Sequence, residues 1–174
     1  MSERPSEALP PSGLATRTRP GAAPDPGERD ALYLRAGEIA VASHPTAITT
    51  VLGSCVAVCL YDVATRIGGM NHFLLPHHVE RERSPRFGTV AVPELLAQLV
   101  KAGARRSGLQ AKVFGGSSVL GAQGRRSLGD DNAELALRLL EEARIPVVDQ
   151  DVGGQRGRKL IFHSDDGTGW IRQL

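Results

Sequence analysis

Residues 47–75, AITTVLGSCVAVCLYDVATRIGGMNHFLL, decide how the chain is read. Ala47 to Val51 is rich in β-branched residues, Cys55 to Asp62 is an almost unbroken apolar run, and Gly69 to Leu75 follows after the connection Val63 to Gly68. The pattern predicts three strands, the last two joined as a hairpin. Gly53-Ser54 marks a turn, so Cys55 stands at the mouth of its strand. A hairpin returns the end of its second strand to the start of its first, which brings His72 across from Cys55. A thiol becomes a strong nucleophile as thiolate, and an imidazole that takes its proton can return one to a leaving group. The pair points to acyl-transfer chemistry.

Around this stretch the pattern continues as sheet and helix. Ala31 to Arg35 and Glu38 to Ser43 read as short strands on either side of Gly37. Past a charged loop, His77 to Gly88, the apolar residues Val92, Leu95, Leu96, Leu99 and Val100 recur at helical spacing, with Pro93 in a first turn and Gly103 as a stop. Ala111 to Phe114 is a short strand running into Gly115-Gly116. Asp131 with Glu134 signals the start of a second helix, whose face is Ala136, Leu139, Leu140 and Ala143. Pro146 to Val152, Lys159 to His163 and Gly169 to Arg172 read as strands, with Asp165-Asp166-Gly167 as a hairpin turn. The predicted fold class is α+β, a layered sandwich of mostly antiparallel or mixed β-sheet with two main helices packed on it.

Composition narrows the function classes. A chain of 174 residues suits one domain, and 41% hydrophobic content supplies a core in which Leu, Val, Ile and Ala must replace the scarce aromatics. The formal charge is +2, with bases and acids interspersed. A nucleic-acid groove needs a basic stripe with stacking aromatics, and none is visible. The first 28 residues hold six of the eleven prolines and no aromatic, which predicts a disordered tail over 1–28 and a domain over 29–174. Without an apolar leader or a long apolar run, the expected location is the cytoplasm.

The candidate residues each have a plainer reading. A cysteine is commonly a small buried hydrophobe, and Cys59, with no turn before it, fits that description. Cys55 follows Gly53-Ser54, where a sharp turn lets the backbone N–H groups of Ser54 and Cys55 converge on a carbonyl oxygen. His44, His77, His78 and His163 compete with His72, but only His72 lies on the hairpin. Asn71 and Ser54 are candidates for supporting contacts. Thr49 and Thr50 precede the cysteine, and in a strand their side chains take opposite faces. If both cysteines lie on one strand, about 13 Å of extended chain separates them, too far for a disulfide or one zinc ion. Gly115-Gly116-Ser117-Ser118 lacks the lysine of a phosphate loop and reads as a tight turn.

Several motifs in order give a family resemblance over residues 30–174. Val51-Leu52-Gly53-Ser54-Cys55 into Tyr61-Asp62, Gly68-Gly69-Met70-Asn71-His72, Arg86-Phe87-Gly88, Ala111 to Gly116, and Asp151-Val152-Gly153-Gly154 with Gly157-Arg158-Lys159 resemble the chemoreceptor glutamine deamidase family, CheD. The resemblance implies a Cys-His-Thr site that deamidates receptor glutamines, with Cys55, His72 and Thr49 at the matching positions and no cofactor; because a glutamate methyl ester presents the same carbonyl with an easier leaving group, its hydrolysis is an expected second activity. It further implies the cytoplasmic domain of chemoreceptors as substrate and a CheC-type phosphatase as a partner. The alternative is a non-catalytic chemotaxis adaptor on the same fold. Two segments depart from the family: Ser117-Ser118-Val119-Leu120 stands where many relatives have alanine and methionine. Gly129-Asp130-Asp131-Asn132 replaces a glycine-x-arginine-asparagine segment.

Overall fold

The computed structural model describes residues 17–18, 23, 25–121 and 124–174. Most of the segment expected as a disordered tail lies outside the described residues. Within it, β1 (Arg17–Thr18) runs parallel to the last strand.

Two five-stranded sheets stack face to face. One contains β2 (Asp30–Tyr33), β4 (Thr46–Leu52), β9 (Arg158–His163) and β10 (Gly169–Gln173), in the order β1-β10-β9-β4-β2. The other contains β3 (Ile39–Ala42), β5 (Val56–Asp62), β6 (Ile67–Asn71), β7 (Gln110–Gly115) and β8 (Val147–Val152), in the order β3-β6-β5-β7-β8. Pairing is mostly antiparallel, with parallel contacts of β1 to β10, β2 to β4 and β7 to β8. Two helices, α1 (Gly88–Lys101) and α2 (Leu128–Glu142), cover the outer face of the second sheet. The molecule is the α+β sandwich with two packed helices that the pattern predicts.

Strand β5 shows why three layers form. All seven of its residues are buried, because both its faces are covered. Val56, Val58 and Leu60 pack with Leu95, Leu99 and Leu140 of the helices. Ala57, Cys59 and Tyr61 face Ile48, Leu52, Leu160 and Phe162 of the opposite sheet. In β4 only one face points inward, so Ile48, Thr50 and Leu52 are fully buried, whereas Val51 is exposed.

Two details differ from the sequence reading. Helix α2 starts a turn earlier than an Asp131 cap predicts, because Ser127 and Asp130 form a reciprocal capping box, with Ser127 Oγ accepting from Asp130 N–H at 3.1 Å and Asp130 accepting from Ser127 N–H at 2.8 Å. Helix α1 begins at Gly88, which leaves Pro93 inside the second turn, where it removes one helical N–H. Gly115 and Gly116 both have positive φ, as the tight turn requires. A Cβ on Gly115 would fall 2.2 Å from the Cys55 carbonyl oxygen. Among the described residues no helix is long and apolar enough to cross a membrane.

Candidate active site

Cys55 sits between the last residue of β4 and the first of β5, half-buried against the core between the sheets. Three hydrogen bonds fix this turn. Gly116 N–H donates to the Cys55 carbonyl at 2.8 Å and Ser117 N–H to the Gly53 carbonyl at 2.9 Å. From the other side, the Asn132 amide of α2 donates to the Ser54 carbonyl at 3.0 Å. Among the described residues, the N–H groups of Ser54 and Cys55 donate to no backbone carbonyl, and the Cys55 N–H lies against its own thiol.

The hairpin register brings His72 to the same face. Cys59 pairs with Met70, and Val56 forms a bridge to Phe73 in the same register. His72 therefore lies opposite Ala57 and diagonally across from Cys55, a relation in which Cα atoms are about 7–8 Å apart. His72 lies just past β6, and its backbone is held by Gly37 N–H donating to its carbonyl at 2.7 Å and its own N–H donating to the Glu38 carbonyl at 3.1 Å.

The threonine against this imidazole is Thr50. Its Oγ1 is 2.9 Å from His72 Nδ1 and 2.8 Å from the Leu34 carbonyl oxygen. Thr49, expected there, occupies the opposite face of β4, which is shared with Ala47 and Ile161. The cause is strand alternation: with Ile48 and Leu52 turned into the core, Thr50 must turn inward too. A hydroxyl has one proton, and a carbonyl can only accept. Both contacts are hydrogen bonds only if Thr50 donates to Leu34 and accepts from His72 Nδ1–H. That leaves Nε2 as the unprotonated nitrogen, buried and without a partner among the described residues.

Burial sets the charge state. Desolvation lowers the His72 pKa to about 4, with smaller opposing contributions from the Leu34 backbone and Glu38. Burial also pushes the Cys55 thiol up, partly opposed by a backbone hydrogen bond. The free site at neutral pH thus holds a thiol and a neutral imidazole, and proton transfer must accompany attack. Cys59 is fully buried, and desolvation raises its thiol further.

The remaining sequence candidates are elsewhere. Asn71 faces the helices and spends its Oδ1 on the Val58 N–H at 2.9 Å, which makes it part of the hairpin's bonding. His44 is exposed beside Asp30, His78 bonds Thr89, His77 is exposed, and His163 is buried at the end of β9. Among the described residues no group of three or more His, Cys, Asp or Glu is placed to hold a metal ion.

Two buried residues that frame the site were read from the sequence only as members of motifs, not as site residues. Asn132 donates a second bond, to the Leu74 carbonyl at 2.8 Å. Arg158, directly after Gly157 in a glycine-rich loop, is 1% exposed. Its guanidinium donates to the Asp151 carboxylate and carbonyl, the Gly153 carbonyl, and Ser117 Oγ at 3.1 Å. Ser117 in turn holds Gly53, so Arg158 supports the cysteine turn through one intermediary. The glycine-rich run Gly153-Gly154-Gln155-Arg156-Gly157 immediately before Arg158 is the sequence signal that marks this position.

Comparison with known proteins places these motifs in a wider group. The family model described as CheD chemotactic sensory transduction matches residues 74–173. A protein of Anaeromyxobacter dehalogenans named probable chemoreceptor glutamine deamidase CheD 1 is 70% identical over 155 residues, covering 88% of this chain and 91% of the relative. Proteins named probable chemoreceptor glutamine deamidase CheD from Sulfurimonas denitrificans and Trichlorobacter lovleyi are 41% and 46% identical, over 84% and 78% of this chain and 96% and 86% of their own lengths.

Proposed function

The chain belongs to the CheD family, and from that we propose that it is a cysteine-dependent deamidase that converts glutamine side chains of chemoreceptors to glutamate and releases ammonia. The observation that carries the reading is the inward Thr50–His72 hydrogen bond on the face where Cys55 lies, together with the names of its relatives.

His72 Nε2 takes the Cys55 proton as Sγ attacks the carboxamide carbon. The carbonyl oxygen becomes an oxyanion, received by the N–H groups of Ser54 and Cys55. As the C–N bond breaks, imidazolium His72 gives its proton to the departing nitrogen, leaving ammonia and a thioester on Cys55. Neutral His72 then takes a proton from water, whose oxygen attacks the thioester. The S–C bond breaks, Cys55 recovers its proton and glutamate is released. Thr50, accepting from Nδ1–H throughout, keeps Nε2 free for both transfers. A glutamate methyl ester presents the same carbonyl with methanol as leaving group, so methylesterase activity follows from the same site.

Conversion of glutamine to glutamate adds a negative charge to a receptor helix and changes repulsion within the helical bundle. This suits a role in chemotaxis adaptation, exercised on the cytoplasmic part of the receptor, with a CheC-type phosphatase as a competing partner. Ammonia release from receptor cytoplasmic fragments tests the reading. Release by the parent and none by Cys55→Ala supports it. Binding of receptor without release favours a non-catalytic adaptor.

A further inference from the structure

Asn132 is fully buried on the face of α2 that packs on the sheet, where a helix ordinarily presents apolar side chains. Its Nδ2 donates to the Ser54 carbonyl at 3.0 Å and the Leu74 carbonyl at 2.8 Å. Both partners are acceptors, which decides which end of the amide faces them. In the hairpin register Leu74 lies opposite Cys55, one step past the last ladder bonds, Val56 N–H to Phe73 at 3.1 Å and Phe73 N–H to Val56 at 3.0 Å. There the backbone pairing stops, because Leu74 N–H turns to the Arg86 carbonyl at 2.8 Å. One carboxamide spans the two strand ends where the ladder no longer does. The helix comes close enough because Gly129 has no Cβ, which would fall 2.3 Å from the Gly116 carbonyl oxygen.

The peptide joining Ser54 to Cys55 is trans, so its C=O and N–H point to opposite sides. Its carbonyl is drawn toward α2, on the face of the sheet carrying Val56 and Val58. Its N–H is therefore turned the other way, to the side on which the Cys55 thiol packs against the core between the sheets. We propose that Asn132 is a positioning residue for the oxyanion hole: by holding the Ser54 carbonyl it aims the Cys55 N–H at the substrate's carbonyl oxygen. The inference rests on the deamidase reading for its substrate and on the peptide geometry for its mechanism. Without the amide, the peptide is free to rotate and the donor is lost while thiol and imidazole keep their places.

The test compares the full-length parent with Asn132→Leu, and with Asn132→Ser, whose smaller polar side chain admits water to the two carbonyls should the leucine variant not fold. A peptide carrying glutamate semialdehyde probes the hole directly. Sγ adds to the aldehyde carbon and the thiol proton passes to the oxygen, giving a thiohemiacetal whose oxygen needs the donor. Iodoacetamide probes the thiol without forming an oxyanion. In folded variant the aldehyde adduct weakens at least about tenfold, while iodoacetamide alkylation changes by less than about twofold. Equal adduct affinity in parent and variant overturns the proposal, as does a parallel loss of adduct and alkylation, or a parent that forms no adduct. A parent that forms the adduct, and loses it on substitution, yet leaves receptor glutamines unchanged overturns the deamidase reading and leaves the oxyanion role of Asn132 standing.

Discussion

Thr50 Oγ1 stands 2.9 Å from His72 Nδ1 and bridges two different elements, β4 of one sheet and the segment following β6 of the other. Since the hydroxyl proton goes to Leu34, the contact selects the tautomer whose Nε2 can act as base. Thr50→Ala removes the acceptor for Nδ1–H, and the expected loss in kcat is roughly 10²-fold, the low end of what a positioned acid–base group supplies. Thr50→Ser, which keeps the hydroxyl, restores most of the rate. Thr49→Ala, on the other face, leaves it near that of the parent. Steady-state kinetics of the three variants checks the assignment.

The acid limb of activity follows from the burial of His72. With its pKa lowered to about 4, the base stays deprotonated down to weakly acidic pH. The kcat/KM of the free enzyme should fall only as pH approaches about 4. A limb centred near the ordinary imidazole value of 6.5 would show that solvent reaches the ring. The same shift has a stability consequence. The folded state prefers neutral His72, so its contribution is fully present above the unfolded pKa and is lost as pH falls from 6.5 toward 4, up to about 3 kcal/mol. Urea titrations across that range measure it.

Arg158 joins the glycine-rich loop, the end of β8 and Ser117 behind the cysteine turn. Arg158→Met leaves the Asp151 carboxylate and several buried acceptors without their donor, and is expected to cost about 3 kcal/mol of stability. Chemical denaturation checks this, and an unchanged midpoint would mean that water replaces the guanidinium.

The two thiols should separate cleanly. Cys59 is fully buried, its thiol raised by desolvation, and packed in the core between the sheets. Iodoacetamide under native conditions is expected to modify Cys55 alone, and Cys59→Ala to retain activity. Peptide mapping of the alkylated protein distinguishes them.

The hairpin was readable because the strands flanking Val63 to Arg66 are adjacent in the chain, and a short connection leaves few ways to pair them. That alone places His72 on the side of Cys55. The choice between Thr49 and Thr50 was not readable in the same way. It turns on which face of β4 meets the second sheet, and Ala47 gives the outer face an apolar residue of its own, packed on Ile161 and Trp170. Asn132 and Arg158 were harder still. Each reaches the cysteine turn across many residues of sequence, and only the packing of α2 and the pairing of β9 with β4 brings them there. The early start of α2 was within reach, since Ser127 and Asp130 have the spacing of a capping box.

Peptide mass mapping of a receptor cytoplasmic fragment, incubated with the protein in ¹⁸O-enriched water, tests the central claim most directly. The account predicts that particular glutamines become glutamate carrying solvent oxygen, and that Cys55→Ala abolishes the conversion. Unchanged glutamines with the parent protein, or equal conversion by Cys55→Ala, would contradict it.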